Sequence, residues 1–234
     1  MKLRAVRSRT ALAAGLSAAV SGGLVSGVPA ASAAAAAGAT AVSAAAPAAH
    51  RLPLRVYAPY FETWTTGGIS AVASRSGARY LTLAFLQTHR RGSCTLTWNG
   101  VRRQPVAPGG RYVADIGRLR SRGGNVIPSF GGASADQDGT EIADSCTSVQ
   151  MIARAYESVV TTYGVTRLDM DVEGKSLDNH AGIARRSEAM RLLQEWAAQH
   201  HRTVQIVLTL GVVPSGLPGN CLAVLKSAVA HGSG

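Results

Sequence analysis

The sequence predicts an α/β protein whose parallel strands form either a β/α barrel or an open, doubly wound sheet. Short apolar runs typical of buried parallel strands alternate with segments whose apolar residues recur at helical spacing. This alternation excludes the all-α and all-β classes. Hydrophobic residues make up 46% of the 234 residues, which is enough for one buried core.

Five runs are predicted to be strands because they are short, apolar and rich in β-branched or aromatic residues. They cover residues 55–64, 79–88, 125–132, 165–173 and 203–213. Each is followed by a segment with helical character, so the chain contains about five β/α units.

The predicted helices fill the gaps between these strands. The clearest apolar stripe runs from Val149 to Tyr163 with spacings of three and four, and Gly164 ends it. Shorter or weaker patterns predict helices near residues 69–78, 113–119, 183–197 and 221–230.

The first 33 residues are predicted to be a signal peptide. Four basic residues in the first nine precede an apolar stretch, and Ala31-Ser32-Ala33 offers a cleavage site between small residues. A membrane anchor is the alternative, but Ala, Gly and Ser dominate the segment and fill a spanning helix poorly. Residues 34–51 are predicted to be an Ala-rich linker, and residues 52–234 the folded domain. The sequence therefore predicts a secreted, extracellular protein with no stable membrane insertion after cleavage.

The formal net charge of +11 does not predict a nucleic-acid partner. The arginines are scattered, aromatic residues are only 5%, and no nucleic-acid-binding motif is present. The first predicted strand is followed by TTGG rather than a dinucleotide-binding G-x-G-x-x-G, and no Walker loop occurs. No Cys/His spacing fits zinc. We therefore predict no cofactor and no metal.

The three cysteines predict one disulfide, which an exported protein permits. Cys94 and Cys146 lie in polar, loop-like contexts and are the predicted pair. Cys221 is left over.

The fourth predicted strand carries the residues that indicate chemistry. Residues 168–173 read LDMDVE, so Asp169, Asp171 and Glu173 share one face of the strand. Carboxylates this close repel one another and raise at least one pKa, which suits a group that holds a proton near neutral pH. A surface strand with an acidic edge and a metal site of three oxygens are the alternatives.

These residues resemble glycoside hydrolase family 18, the chitinase family of β/α barrels. The family signature D-G-x-D-x-D-x-E matches in its last five positions, DMDVE, whereas Thr166 and Arg167 replace its first Asp and Gly. The third-strand motif S-x-G-G appears as SFGG at residues 129–132. The aromatic first strand, with Tyr60 and Trp64, is also similar, and the resemblance extends over about residues 52–225.

The resemblance implies a (β/α)₈ barrel that hydrolyses β-1,4 linkages between N-acetylglucosamine residues in chitin or chito-oligosaccharides. Glu173 is implied as general acid and base in a retaining, substrate-assisted mechanism. Asp171 would hold the acetamido N–H, and Asp169 would share a proton with it. The implied substrate-binding residues are Ser129, Gly131, Gly132, Tyr60 and Trp64, although core packing is an equal alternative for Tyr60 and Trp64.

The length of the chain bears on this expectation. The resemblance makes residues 52–234 a partial catalytic domain of this family, because they are fewer than the ~250 that such a barrel usually needs. We therefore expect a chain shortened after the fifth β/α unit, without the Tyr and Trp that the resemblance places on strands six and eight. A catalytically impaired or lectin-like chitin-binding relative, an endo-β-N-acetylglucosaminidase on N-glycans and a small-molecule binder on an open sheet remain alternatives.

Overall fold

The computed structural model describes residues 51–233. The predicted signal peptide and residues 34–50 of the predicted linker lie outside the described residues. Among the described residues, no helix combines the length and apolar character needed to span a membrane.

The described residues form one sheet with helices packed against it, which confirms the α/β class. Five strands are parallel and lie in chain order across the sheet, and one short strand is antiparallel to the second. The strands are β1 (Tyr60–Glu62), β2 (Tyr80–Thr88), β3 (Leu96–Trp98), β4 (Asn125–Gly131), β5 (Arg167–Asp171) and β6 (Gln205–Thr209). The parallel order is β1-β2-β4-β5-β6, and β3 pairs with β2.

Helices connect the parallel strands, as expected for β/α units. They are α1 (Ile69–Ser76), α2 (Val113–Arg120), α3 (Ala133–Asp138), α4 (Ile142–Ser145), α5 (Val149–Tyr163), α6 (His180–Gln199) and α7 (Gly219–Ala230). A 3₁₀ helix, Gly174–Leu177, follows β5.

Helix α5 shows how the sequence determines local structure. The Ser148 side chain accepts a hydrogen bond from the Met151 N–H at its start, and Gly164 ends it with a φ of 58°. Its apolar stripe is buried, and Tyr156 packs edge-on against Phe130 of β4 with ring centroids 5.0 Å apart. The predicted bounds of this helix are confirmed.

The sheet is strongly curved. The Tyr60 hydroxyl on β1 donates to Asp169 Oδ2 on β5 at 3.0 Å, although β2 and β4 lie between these strands. In a flat sheet with ~4.8 Å between neighbours, β1 and β5 would be about 14 Å apart. The contact therefore requires a concave face, as in a segment of a barrel.

Three strands are shorter at both ends than the sequence predicts. β1 has three residues, because only Tyr60–Glu62 pair with β2, while Tyr57 is exposed. β5 stops at Asp171, so Glu173 lies beyond it in extended backbone. β6 stops at Thr209, because the chain then leaves the sheet and Val212 is exposed.

Several short elements were not predicted. β3, α3 and α4 have between three and six residues each, which is too short for a periodic pattern to show in the sequence. The Ala84–Phe85 peptide bond in β2 is cis and lies where the register with β4 shifts.

The expected disulfide is present. Cys94 and Cys146 are bonded, with their Cα atoms 4.8 Å apart, and Cys221 is free and buried. The bond joins the loop before β3 to the end of α4 across 52 residues of chain. A disulfide that closes a loop of this length stabilises the fold mainly by restricting the conformations of the unfolded chain.

We predict that the double substitution Cys94→Ser/Cys146→Ser lowers the free energy of unfolding by ~4 kcal/mol, the chain-entropy value for such a loop. Urea denaturation followed by circular dichroism measures this loss. Dithiothreitol should produce the same loss in the unsubstituted protein and no further loss in the double variant. Equal stability of the oxidised and reduced proteins would contradict the prediction.

Candidate active site

Asp169 lies at the centre of the concave face. It is 3% exposed, and three hydroxyl groups donate to its carboxylate oxygens. Ser129 on β4 donates to Oδ2 at 2.6 Å and Tyr60 on β1 donates to the same oxygen at 3.0 Å, while Thr209 on β6 donates to Oδ1 at 2.7 Å. Burial of a carboxylate is costly unless its oxygens are hydrogen-bonded, and these three donors meet that need.

The Ser129–Asp169 contact follows from the pairing of the strands. Ser129 on β4 is directly beside Asp169 on β5 in the parallel register. The expected support of the acidic residues by Ser129 is therefore a direct hydrogen bond to Asp169.

The two glycines after Ser129 allow close approach at the mouth of the site. A Cβ on Gly131 would lie 2.2 Å from the Asp171 carbonyl oxygen, and one on Gly132 would lie 2.5 Å from the Phe85 ring. Both glycines also have positive φ, 88° and 82°. Their contacts are thus with Asp171 and Phe85, and a contact with substrate stays a prediction.

Asp171 is partly buried and has a raised pKa. Burial, followed by the nearby charges of Glu173 and Asp169, raises the pKa of Asp171 from 3.8 to about 7. A carboxyl group in this state exchanges a proton near neutral pH, which is the property that the LDMDVE pattern predicted for at least one of its acids.

Glu173 lies beyond the end of β5 and is partly buried. Its N–H donates to Asp136 Oδ2 at 2.6 Å, and its C=O accepts from the Ser176 N–H at 3.1 Å. Within residues 51–233 its carboxylate makes no hydrogen bond to protein. The main chain of Glu173 is thus held while its acid group is left available.

Aromatic rings lie beside the acidic residues. Trp64 is 50% exposed and stacks on Phe85 at 6.2 Å, with an interplanar angle of 24°. Tyr60 is 47% exposed and packs against the same ring at 5.9 Å. Neither residue is part of the core, so both rings have a face or edge available to a ligand. Burial of its hydroxyl is the main reason that the pKa of Tyr60 is raised to about 12.

Sequence reasoning missed three residues of this site. Thr209 and Phe85 lie in predicted strands, where alternation alone indicates a face but not a partner. Asp136 lies in the unpredicted helix α3, and no motif marks it.

Among the described residues, no group of three or more His, Cys, Asp or Glu side chains is arranged to hold a metal ion.

We predict that Glu173→Gln lowers the pKa of Asp171 from about 7 toward its ordinary value, because the substitution removes a neighbouring negative charge that raises it. A carboxyl-carbon NMR titration measures the shift. Glu188→Gln is the control, because Glu188 pairs with Arg191 on α6 and is not among the groups that shift Asp171. An unchanged Asp171 pKa in the Glu173 variant would contradict the prediction.

Comparison with known proteins identifies related chains. The sequence is 31% identical over 185 residues to a probable bifunctional chitinase/lysozyme of Escherichia coli (strain K12), covering 77% of this chain and 20% of that protein. It is 30% identical over 182 residues to endochitinase 11 of Metarhizium anisopliae, covering 77% of this chain and 33% of that protein. The chain thus spans a fifth to a third of the length of these curated relatives. No family model matches it.

A solved chitinase domain has a fold similar to that of this chain. Active domain 2 of a thermostable chitinase from Pyrococcus furiosus, solved as catalytic-site mutants with chito-oligosaccharides, superposes with a TM-score of 0.63 at 25% identity. The match covers 79% of this chain and 56% of that one. The relatives and this shared fold confirm the resemblance of the chain to the chitinases of glycoside hydrolase family 18.

Proposed function

We propose that this chain carries the acidic residues of a chitinase that hydrolyses β-1,4 linkages between N-acetylglucosamine residues in chitin or chito-oligosaccharides. One observation carries the proposal. Asp169 on β5 is fixed by three hydroxyls, and the pKa of Asp171, two residues further along β5, is raised to about 7 by burial and by the charges of Glu173, just beyond the strand, and Asp169.

In this proposal Glu173 gives its proton to the glycosidic oxygen as the bond from that oxygen to the anomeric carbon breaks. The acetamido carbonyl oxygen of the substrate forms the new bond to the anomeric carbon, so no protein nucleophile is needed. Glu173, now ionised, then takes a proton from water, and the water oxygen attacks the anomeric carbon as the bond from that carbon to the acetamido oxygen breaks, which restores the acetamido group. Two displacements on opposite faces retain the anomeric configuration.

Asp171 and Asp169 would support the acetamido group in this reaction. A carboxylate at Asp171 accepts the acetamido N–H and balances the positive charge of the cyclic intermediate. Asp169, fixed by Ser129, Tyr60 and Thr209, would keep Asp171 in place and adjust its protonation. Trp64 and Tyr60 offer rings against which sugar units can stack.

We further propose that the protein acts outside the cell. The basic and apolar N-terminal residues have the pattern of a signal peptide, and the Cys94–Cys146 disulfide is typical of an oxidising compartment.

We predict that Glu173→Gln lowers kcat on chito-oligosaccharides by about 10²- to 10⁴-fold, because the general acid and base is lost, with little change in binding. Glu188→Gln on the surface of α6 should retain the activity. Product analysis by liquid chromatography measures turnover, and isothermal calorimetry measures binding. Full activity of the Glu173 variant would refute the assignment.

The substrate supplies a second check of the mechanism. Oligomers of glucosamine without the acetyl group should not be cleaved, because they lack the attacking carbonyl oxygen. Proton NMR of fresh product should show the retained anomer. Binding without turnover by the unsubstituted protein would favour the impaired or lectin-like alternative, and cleavage of N-glycan cores alone would favour an endo-β-N-acetylglucosaminidase.

A further inference from the structure

Asp136 on α3 makes a contact with Glu173 that the mechanism above does not use. It is 1% exposed, and its Oδ2 accepts the Glu173 N–H at 2.6 Å. Its Oδ1 has no hydrogen-bond partner among the described residues. A Cβ on Gly131 would lie 3.2 Å from that oxygen, so the carboxyl group occupies a closely fitted position beside the end of β4.

The raised pKa of Asp136 indicates that its carboxyl group is neutral while it accepts the hydrogen bond from the Glu173 N–H. Burial is the largest cause that raises its pKa to about 8, and Glu141 adds to the rise, whereas the Glu173 N–H lowers it. The group is therefore mostly protonated at neutral pH. An asparagine has nearly the same shape and also offers one carbonyl oxygen to an N–H.

A second tether holds the residues after Glu173. The Ser176 hydroxyl donates to Asp144 Oδ2, and the Asn179 amide donates to Asp144 Oδ1 at 2.9 Å. Asp144 is on α4, which the buried Arg186–Glu141 ion pair at 2.8 Å fastens to α6. The segment between β5 and α6 is thus attached to the segment that follows β4 at Glu173 itself and again at Ser176 and Asn179.

We propose that Asp136 is a positioning residue for Glu173, whose carboxyl group it directs toward Asp171 through the Glu173 main-chain N–H. β5 has ended at Asp171, and the last bond to a neighbouring strand is that of the Val172 N–H to the Thr209 C=O at 3.0 Å, so no strand pairing reaches Glu173. The Asp136 bond supplies that constraint. The inference rests on the proposed acid and base role of Glu173 for its catalytic meaning, but its geometry is testable without turnover.

The test compares Asp136→Ala, which removes the acceptor, with Asp136→Asn, which keeps one, in the full chain. Asp115→Ala is the matched control, because Asp115 is another buried aspartate that accepts a main-chain N–H, that of Ser70 at 3.2 Å. It is not in contact with Glu173.

Three measurements report on the position of Glu173. They are hydrogen exchange of the Glu173 N–H, the pKa of Asp171 by carboxyl-carbon NMR, and kcat and KM on a chito-oligosaccharide. For Asp136→Ala we expect faster exchange, an Asp171 pKa below about 7 because the Glu173 charge has moved away, and a kcat about 10²-fold lower with KM changed little. Asp136→Asn should restore all three, and Asp115→Ala should lower only the melting temperature.

Each result has a defined consequence. Equal impairment of the Ala and Asn variants, or an Ala variant that loses only thermal stability as Asp115→Ala does, would overturn the inference. Rapid exchange of the Glu173 N–H in the unsubstituted protein would also overturn it, even if the Ala variant did not fold. Absence of turnover in the unsubstituted protein would count against the proposed function alone, since the exchange and Asp171 measurements still report the position of Glu173.

Discussion

The hydrogen bonds to Asp169 are the interaction on which the site depends. A buried carboxylate needs donors, and here they come from three other strands, β1, β4 and β6. Thr209 lies on the neighbouring strand β6, but Tyr60 on β1 reaches Asp169 only because the sheet is curved, so the full set of donors depends on the concave face. Because side chains alternate between the two faces of a strand, Asp171 is expected on the same concave face as Asp169.

The end of β5 divides the site into two parts with different supports. Up to Asp171 the sheet holds the chain, since Asp171 pairs with Thr209 on one side and Gly131 on the other. The Val172 N–H still donates to the Thr209 C=O of β6, and from Glu173 onward the chain is held by side chains of the segment after β4. The direction of Glu173 is therefore set by a small number of side-chain contacts rather than by strand pairing.

The sequence predicted what depends on local pattern. The apolar period of α5 gave its bounds, and alternation along β5 separated Asp169 from Leu168 and Met170, which belong to the hydrophobic core. Local pattern did not reveal that Tyr60 donates to Asp169, or that Asp136 accepts the Glu173 N–H, because these pairs are separated by 109 and 37 residues. Such contacts depend on curvature and on short helices, neither of which leaves a periodic signal.

The two aspartates beside Glu173 make the stability of the folded chain depend on pH. Burial is the first cause of the raised pKa values of both Asp171, about 7, and Asp136, about 8. The folded chain therefore binds these two protons more tightly than the unfolded chain does, and this contribution to stability is complete below the ordinary value of 3.8. It is lost as the pH rises through 7 and 8, where both groups ionise in a poorly solvated place. The features that hold protons beside Glu173 thus favour the folded state on the acid side, and they oppose it once the protons leave.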